Sequence, residues 1–288
     1  MVRFGPSGNE EAFYAAGYKS SVQMPEYAHN MGLDLYEYQC SKGVKITQPT
    51  AEKLGAAAKE YGIGLSIHAP YYINLATDDE EKRQNSIKYI TDTMQAAEWM
   101  GAAKIVVHSG ACAKMPRDVA MEYAKKTLKM ALEKADELGL GHIHICPETM
   151  GKINQLGDLN EVMELCKLDE RLLPTIDFGH LNARTFGGIQ TIDDYAAILD
   201  TIENALGYER LDQFHAHFSR IEYTQPGGEK KHHTFDDVEF GPDYLPLMEL
   251  LAKKDISPTI VCESAGTMAR DALRMKTAYL QAQEANRR

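Results

Sequence analysis

The sequence predicts an α/β fold of the (β/α)8, or TIM, barrel type, on three observations. Eight short apolar or β-branched runs alternate with eight longer stretches of helical periodicity. No linker, low-complexity tract or short internal repeat divides the chain. Its 288 residues suit a barrel, whose usual length is about 250 residues. Residues 1–288 therefore read as one barrel domain.

In chain order, strands are expected at 2–5, 34–39, 65–68, 104–108, 142–146, 174–177, 213–217 and 259–263. Helices are expected near 24–31, 50–61, 81–100, 117–138, 158–166, 192–203, 244–253 and 267–284. Thr50, followed by Glu52 and Lys53, opens one helix and Tyr61-Gly62 closes it, because glycine tolerates the left-handed residue that ends a helix. Glu137-Leu138-Gly139 closes another, and Asp158 is placed to cap the short helix after it. The stretch 219–242, rich in Gly, Lys and His, reads as a long loop after the seventh strand.

Composition narrows the function classes. The chain is 44% hydrophobic and 25% charged, the balance of a globular protein. It has no run near the ~20 apolar residues that cross a bilayer, so no membrane partner is expected. The opening residues show no secretory pattern, and a cytoplasmic location is expected. Cys40, Cys112, Cys146, Cys166 and Cys262 are scattered and odd in number, which argues against a disulfide framework. Cys146 and Cys262 fall near candidate ligands in the sequence. The net charge of −11 argues against a protein that coats nucleic acid, since basic residues supply such affinity. An enzyme that contacts a few nucleotides is not excluded, because bound cations reverse the potential of an acidic pocket.

Six strand ends carry the chemistry: Ile67-His68-Ala69-Pro70, Val107-His108-Ser109-Gly110, Cys146-Pro147-Glu148-Thr149, Ile176-Asp177-Phe178-Gly179-His180, His215-Ala216-His217 and Cys262-Glu263-Ser264. The C-terminal ends of barrel strands form the functional mouth. A charged side chain there needs a partner, water or a metal. One such histidine or carboxylate alone reads as packing or capping; six strand ends of the same chemistry read as a metal site. His68, His108, Glu148, Asp177, His217 and Glu263 are the expected ring. Imidazole nitrogen and carboxylate oxygen suit zinc, manganese or iron. A carboxylate can bridge two ions, and two ions about 3.5–4 Å apart can stabilise both oxygens of a phosphoryl displacement.

Asp177 and His180 are three apart across a strand-to-loop turn, and can serve one ion or two neighbouring ones. His215 and His217 share strand parity; His217 is nearer the mouth and is the candidate ligand, with His215 as deeper support. His142 and His144 suit core or support roles below Glu148. In Gly227-Gly228-Glu229-Lys230-Lys231-His232-His233, basic residues can meet phosphate and a histidine can cap an exposed metal.

The order of His68-Ala69-Pro70-Tyr71-Tyr72-Ile73-Asn74-Leu75, His108-Ser109-Gly110, Pro147-Glu148-Thr149, Ile176-Asp177-Phe178-Gly179-His180, Lys230-Lys231-His232-His233 and Cys262-Glu263-Ser264 resembles the endonuclease IV family of apurinic/apyrimidinic endonucleases, in the xylose-isomerase-like barrel superfamily. The resemblance covers almost the whole chain. It implies hydrolysis of DNA on the 5′ side of an abasic nucleotide, leaving a 3′-hydroxyl and a 5′-deoxyribose phosphate. It also implies two to three ions, normally Zn2+, in a protein expected to act as a monomer. By position, His68, His108 and Glu148 hold the first ion, and Glu148 bridges to a second held by Asp177, His217 and Glu263. His180 and His232 hold the third, and Glu148 is the catalytic centre of the set. Tyr71, Tyr72 and Asn74 match the family's DNA-contacting loop.

Two departures stand out. Lys230 occupies the place of an aspartate that binds the third ion; either Glu229 shifts register to replace it, the third ion is weak, or Lys230 takes part of its phosphate-neutralising role. Gln39-Cys40-Ser41 stands where the family has an arginine, and Lys42, Lys230 and Lys231 are the residues available to compensate. The main alternative is a metal-dependent sugar isomerase or epimerase of the same superfamily, using Glu148, Asp177, His217 and Glu263 around one ion. A noncatalytic metal- or DNA-binding scaffold is the third reading.

Overall fold

A computed structural model describes residues 1–287. Ten strands follow in order: β1 (Arg3–Pro6), β2 (Leu35–Gln39), β3 (Gly64–His68), β4 (Lys104–His108), β5 (His144–Glu148), β6 (Thr175–Asp177), β7 (His215–Phe218), β8 (Arg220–Thr224), β9 (Gly228–His233) and β10 (Thr259–Cys262). The helices are α1 (Glu11–Ala15), α2 (Met24–Asn30), α3 (Gln48–Tyr61), α4 (Glu80–Met100), α5 (Arg117–Glu137), α6 (Leu159–Cys166), α7 (Phe178–Arg184), α8 (Ile192–Leu206), α9 (Tyr208–Gln213), α10 (Leu245–Lys253) and α11 (Met268–Asn286). β1–β7 and β10 form an eight-stranded parallel sheet in the order β1-β10-β7-β6-β5-β4-β3-β2. It is the expected TIM barrel, with the helices around it.

The barrel closes where β1 meets β2. Asp34 N donates to Phe4 O and Gly8 N to Glu37 O, both at 2.9 Å, and Ser7 bridges Glu37. Gly5 makes this approach possible: a Cβ there would lie 1.8 Å from the Leu35 carbonyl oxygen. Strands covered on both faces need apolar side chains throughout. β4 shows it, with Ile105, Val106 and Val107 all buried.

Local signals end the helices as read. Gly62 follows α3 in the left-handed region at φ 70°. Asp158 accepts from Glu161 N at 2.9 Å, while Glu161 reaches back to Asp158 N at 3.0 Å, a reciprocal cap on α6. No helix among the described residues is long and apolar enough to cross a membrane.

Three of the differences from the sequence reading bear on the site. β5 begins at His144 rather than 142, because Ile143 N closes a turn on Leu140 O at 3.0 Å and pairing starts with His144 N to Ala103 O at 2.9 Å. His142 is left outside the sheet, paired with Glu98 at 2.7 Å. Residues after Asp177 form a helix, α7, instead of a loop. The stretch 219–242 contains an antiparallel hairpin, β8–β9. Its Gly and Lys content suggests a loop, but Gln225-Pro226-Gly227 supplies the turn between two strands.

Candidate metal centre

The C-terminal ends of β3, β4, β5, β6, β7 and β10 bring six side chains to one patch. Glu148, at the end of β5, is the hub. Its Oε1 is 2.8 Å from His217 Nδ1, and its Oε2 is 3.5 Å from His68 Nε2 and 3.4 Å from His108 Nε2. Glu263 Oε1 approaches His217 Nδ1 at 3.7 Å. Donor atoms of Glu148, Asp177, His217 and Glu263 all lie within 4.8 Å of one another, as do those of His68, Glu148 and His217. The strand parity that placed these residues at the mouth therefore also points them at each other.

Asp177 and His180 are related by the helix that begins between them. Asp177 is the N-cap of α7 and accepts from His180 N at 2.7 Å through Oδ1. Its Oδ2 is left 3.4 Å from His180 Nδ1. The spacing of three is thus the geometry of a capping residue and the third helical position.

The hairpin supplies a second group. Glu229 Oε2 is 3.5 Å from His180 Nε2, and Glu229 Oε1 is 3.8 Å from His232 Nε2. These three residues form a further cluster whose donor atoms fall within 4.8 Å. Residues three apart on a regular strand face opposite sides. A bulge corrects this: Lys231 pairs with Glu222 and Glu229 pairs with Tyr223, so Lys230 is the extra residue between them. Lys230 is exposed and pairs with Glu222, away from the cluster. The bulge thus brings Glu229, and not Lys230, to the face of His180 and His232. Two glycines let the hairpin approach: a Cβ on Gly151 would lie 2.6 Å from Glu229 Cβ, and one on Gly228 would lie 2.3 Å from Gly151 O.

Hydrogen bonds at the far ring nitrogens orient several imidazoles. His68 Nδ1 meets Ala69 O at 2.8 Å, His180 Nδ1 meets Thr149 O at 2.9 Å, and His232 Nδ1 meets Ser219 Oγ at 2.9 Å. For His68 and His180 the bond to a carbonyl fixes a proton on Nδ1, so Nε2, toward Glu148 in the first and Glu229 in the second, is the nitrogen each would offer a cation.

The electrostatics suit cations. Burial opposes ionisation of Glu148, but His217, His68 and His108 hold its carboxyl well below the ordinary range. Burial raises Asp177 above its usual value against the pull of His180. Burial disfavours the charged rings of His68 and His180, yet Glu148 raises the first to about 9 and Asp177 the second to about 9. His108 is pushed down to about 4, by burial first. Glu148 Oε2 and Asp177 Oδ2 are buried without a hydrogen-bond partner. An unpartnered buried acceptor costs about 1–3 kcal/mol, which a bound cation would offset. The residues present fit divalent metal ions.

A cleft of about 240 Å³ opens above this group, lined also by Gln39, Ser41, Tyr71, Lys152 and Gln155. Tyr71 and Tyr72 are exposed, with ring centroids 4.6 Å apart, and Lys231 is exposed on the hairpin. Asn74 is not on the cleft. Its Oδ1 accepts from Ala76 N at 3.2 Å and Ala111 N at 3.0 Å, bracing two loops against each other. The cysteines stay out of the site: Cys262 Sγ contacts Ser264 Oγ at 3.3 Å, and burial pushes the Cys146 and Cys262 thiols up to about 12. Sequence reasoning missed Glu37, in the middle of β2, which contacts both His215 and His217. A lone acid inside an apolar strand was the available signal.

A family model described as xylose isomerase-like TIM barrel matches residues 25–281. The chain is 37% identical over 236 residues to an uncharacterised protein of Methanocaldococcus jannaschii, covering 81% of this chain and 83% of that protein. It is 32% identical over 162 residues to a protein named probable endonuclease 4 in Mycoplasma genitalium, covering 54% of this chain and 53%, about half, of that relative's length. Among solved structures, endonuclease IV from Thermus thermophilus superposes with a TM-score of 0.69 at 19% identity, covering 98% of this chain and 99% of that one. A D-tagatose 3-epimerase-like protein gives 0.71 at 21% identity, with 100% of both chains covered. At these identities the two structures establish the fold alone.

Proposed function

The chain belongs to the xylose isomerase-like TIM barrel family, and from that premise we propose that it is a metal-dependent endonuclease hydrolysing the phosphodiester 5′ to abasic sites in DNA. The observation that carries this reading is the number of donors. Glu148, Asp177, His217 and Glu263 suffice for one ion, but His68, His108, His180, Glu229 and His232 extend the same patch on both sides. One tetrahedral ion takes about four ligands, so the set matches two to three, Zn2+ first among them, with Mn2+ or iron as the other candidates.

His68, His108 and Glu148 would hold one ion, Glu148, Asp177, His217 and Glu263 a second, and His180, Glu229 and His232 a third. When bound, such ions neutralise developing charge on the phosphoryl oxygens. Glu148 keeps His217 on one oxygen and His68 and His108 on the other, and Asp177 orients its free oxygen by capping α7. Tyr71 and Tyr72 offer two exposed rings at the rim, tilted to one another, and Lys231 offers exposed charge to phosphate, while Lys230 is held by Glu222. Base or sugar extrusion costs less at a damaged position, which favours an abasic nucleotide in a cleft of about 240 Å³.

A duplex carrying one synthetic abasic site tests the reading. Incision on the 5′ side, leaving a 3′-hydroxyl, is expected; it should vanish on chelation and return with zinc. The four-residue group Glu148, Asp177, His217 and Glu263 would also serve a one-ion isomerase, so proton exchange on a ketose without incision would move the assignment there. The third ion has its own check. Glu229→Ala should lower bound metal by one ion per chain in elemental analysis, whereas Lys230→Ala should leave the stoichiometry unchanged. Equal stoichiometry in Glu229→Ala and the parent would refute the third site.

A further inference from the structure

Below the mouth the barrel interior is polar where apolar side chains are the rule. Glu37 is fully buried in β2. Its Oε2 accepts from Ser66 Oγ at 2.8 Å and lies 2.9 Å from His215 Nε2. Its Oε1 accepts from Gln39 Nε2 at 3.2 Å and is 3.0 Å from His217 Nε2, an ion-pair contact not aligned as a hydrogen bond. His215 is itself fixed by Thr259 Oγ1 at 2.7 Å from its Nδ1. A carboxylate in this position costs several kcal/mol of desolvation, and an apolar layer would close the barrel without it.

Two routes lead upward from Oε1 to candidate ligands, while Oε2 is held by Ser66 and His215. His217 turns Nε2 to Glu37 and Nδ1 to Glu148, 2.8 Å away. Were a cation bound at Nδ1 in place of that contact, the ring proton would sit on Nε2, 3.0 Å from the Glu37 carboxylate that can accept it. The second route runs through Gln39, whose Nε2 also donates to Ser7 Oγ at 2.6 Å, while Ser7 Oγ donates to Glu263 Oε1 at 3.1 Å. One buried acid therefore touches one ligand directly and reaches another through two side chains. Carboxylates behind a metal-binding imidazole set its tautomer and ring orientation.

We propose that Glu37 is a positioning residue, which orients His217 directly and Glu263 through Gln39 and Ser7 so that both present lone pairs to a shared cation. The proposal rests on the metal-centre reading above. Its test is a titration of the full-length, metal-stripped protein with Co2+, reading affinity by chelator competition and ligand geometry by the visible d–d absorption. Glu37→Gln keeps the side chain's shape and the acceptor for Ser66. It should retain the parent's circular dichroism, bind Co2+ about 10–100-fold more weakly and show an altered absorption band. A purely structural role would lower thermal stability and leave the band of the bound ion as in the parent. Should Glu37→Gln fail to fold, Gln39→Ala decides by the same two readings, since it cuts only the route to Glu263; a changed band supports the proposal and an unchanged band and affinity overturn it. A folded Glu37→Gln with parental affinity and band also overturns it, while leaving the metal centre standing. A parent protein that binds no Co2+ removes both.

Discussion

Glu148→Gln is expected to leave the barrel folded and to lower phosphodiester hydrolysis by about 10²–10³-fold or more, the scale of losing one preorganised electrostatic group. The two side chains have the same shape, so packing is retained. The charge is not. Glu148 stands between His217 at 2.8 Å and the pair His68 and His108 at 3.5 and 3.4 Å. An amide would turn an N–H toward one of these imidazoles and could not bridge two cations. Elemental analysis should therefore find fewer ions, with an unchanged far-ultraviolet spectrum. A folded Glu148→Gln protein with the parent's metal content and incision rate would end the assignment of Glu148 as hub.

Gly5→Ala should destabilise the protein by about 3 kcal/mol or more, at the upper end of overpacking effects. The added carbon would lie 1.8 Å from the Leu35 carbonyl oxygen and 2.3 Å from its carbon. Both are backbone atoms of β2, so relief requires β1 and β2 to part, and with them the hydrogen bonds that close the barrel. The effect should reach the site as well. Ser7 follows two residues later and holds Glu263 at 3.1 Å, so metal affinity should fall in parallel. Denaturant unfolding measures the first effect; a midpoint equal to the parent's would show that closure does not depend on this contact.

The six ligand candidates at the strand ends were legible because each depends on a short motif and on strand parity, both local. Helix ends at Gly62 and Asp158 were legible for the same reason: capping involves neighbours within three or four residues. The direction of Asn74 was not legible. Its motif marks a loop at the mouth, but motif and direction are different properties, and its amide braces Ala76 and Ala111. At Lys230 the sequence left alternatives open, since a stretch read as a loop has no faces to compare, and the bulge in the hairpin sets which residues share one.

Alternation of apolar strands with helices, and the recurrence of histidine and carboxylate at strand ends, are properties of segments a few residues long, and the sequence alone determined them: the barrel, its mouth and the ring around Glu148. Which acid completes the group at His180 and His232 was decided by a bulge and by two glycines on different loops. The buried contact of Glu37 with His215 joins residues 178 positions apart. Such pairings depend on how strands close in space, and no local pattern encodes a contact whose partner is set by closure of the barrel.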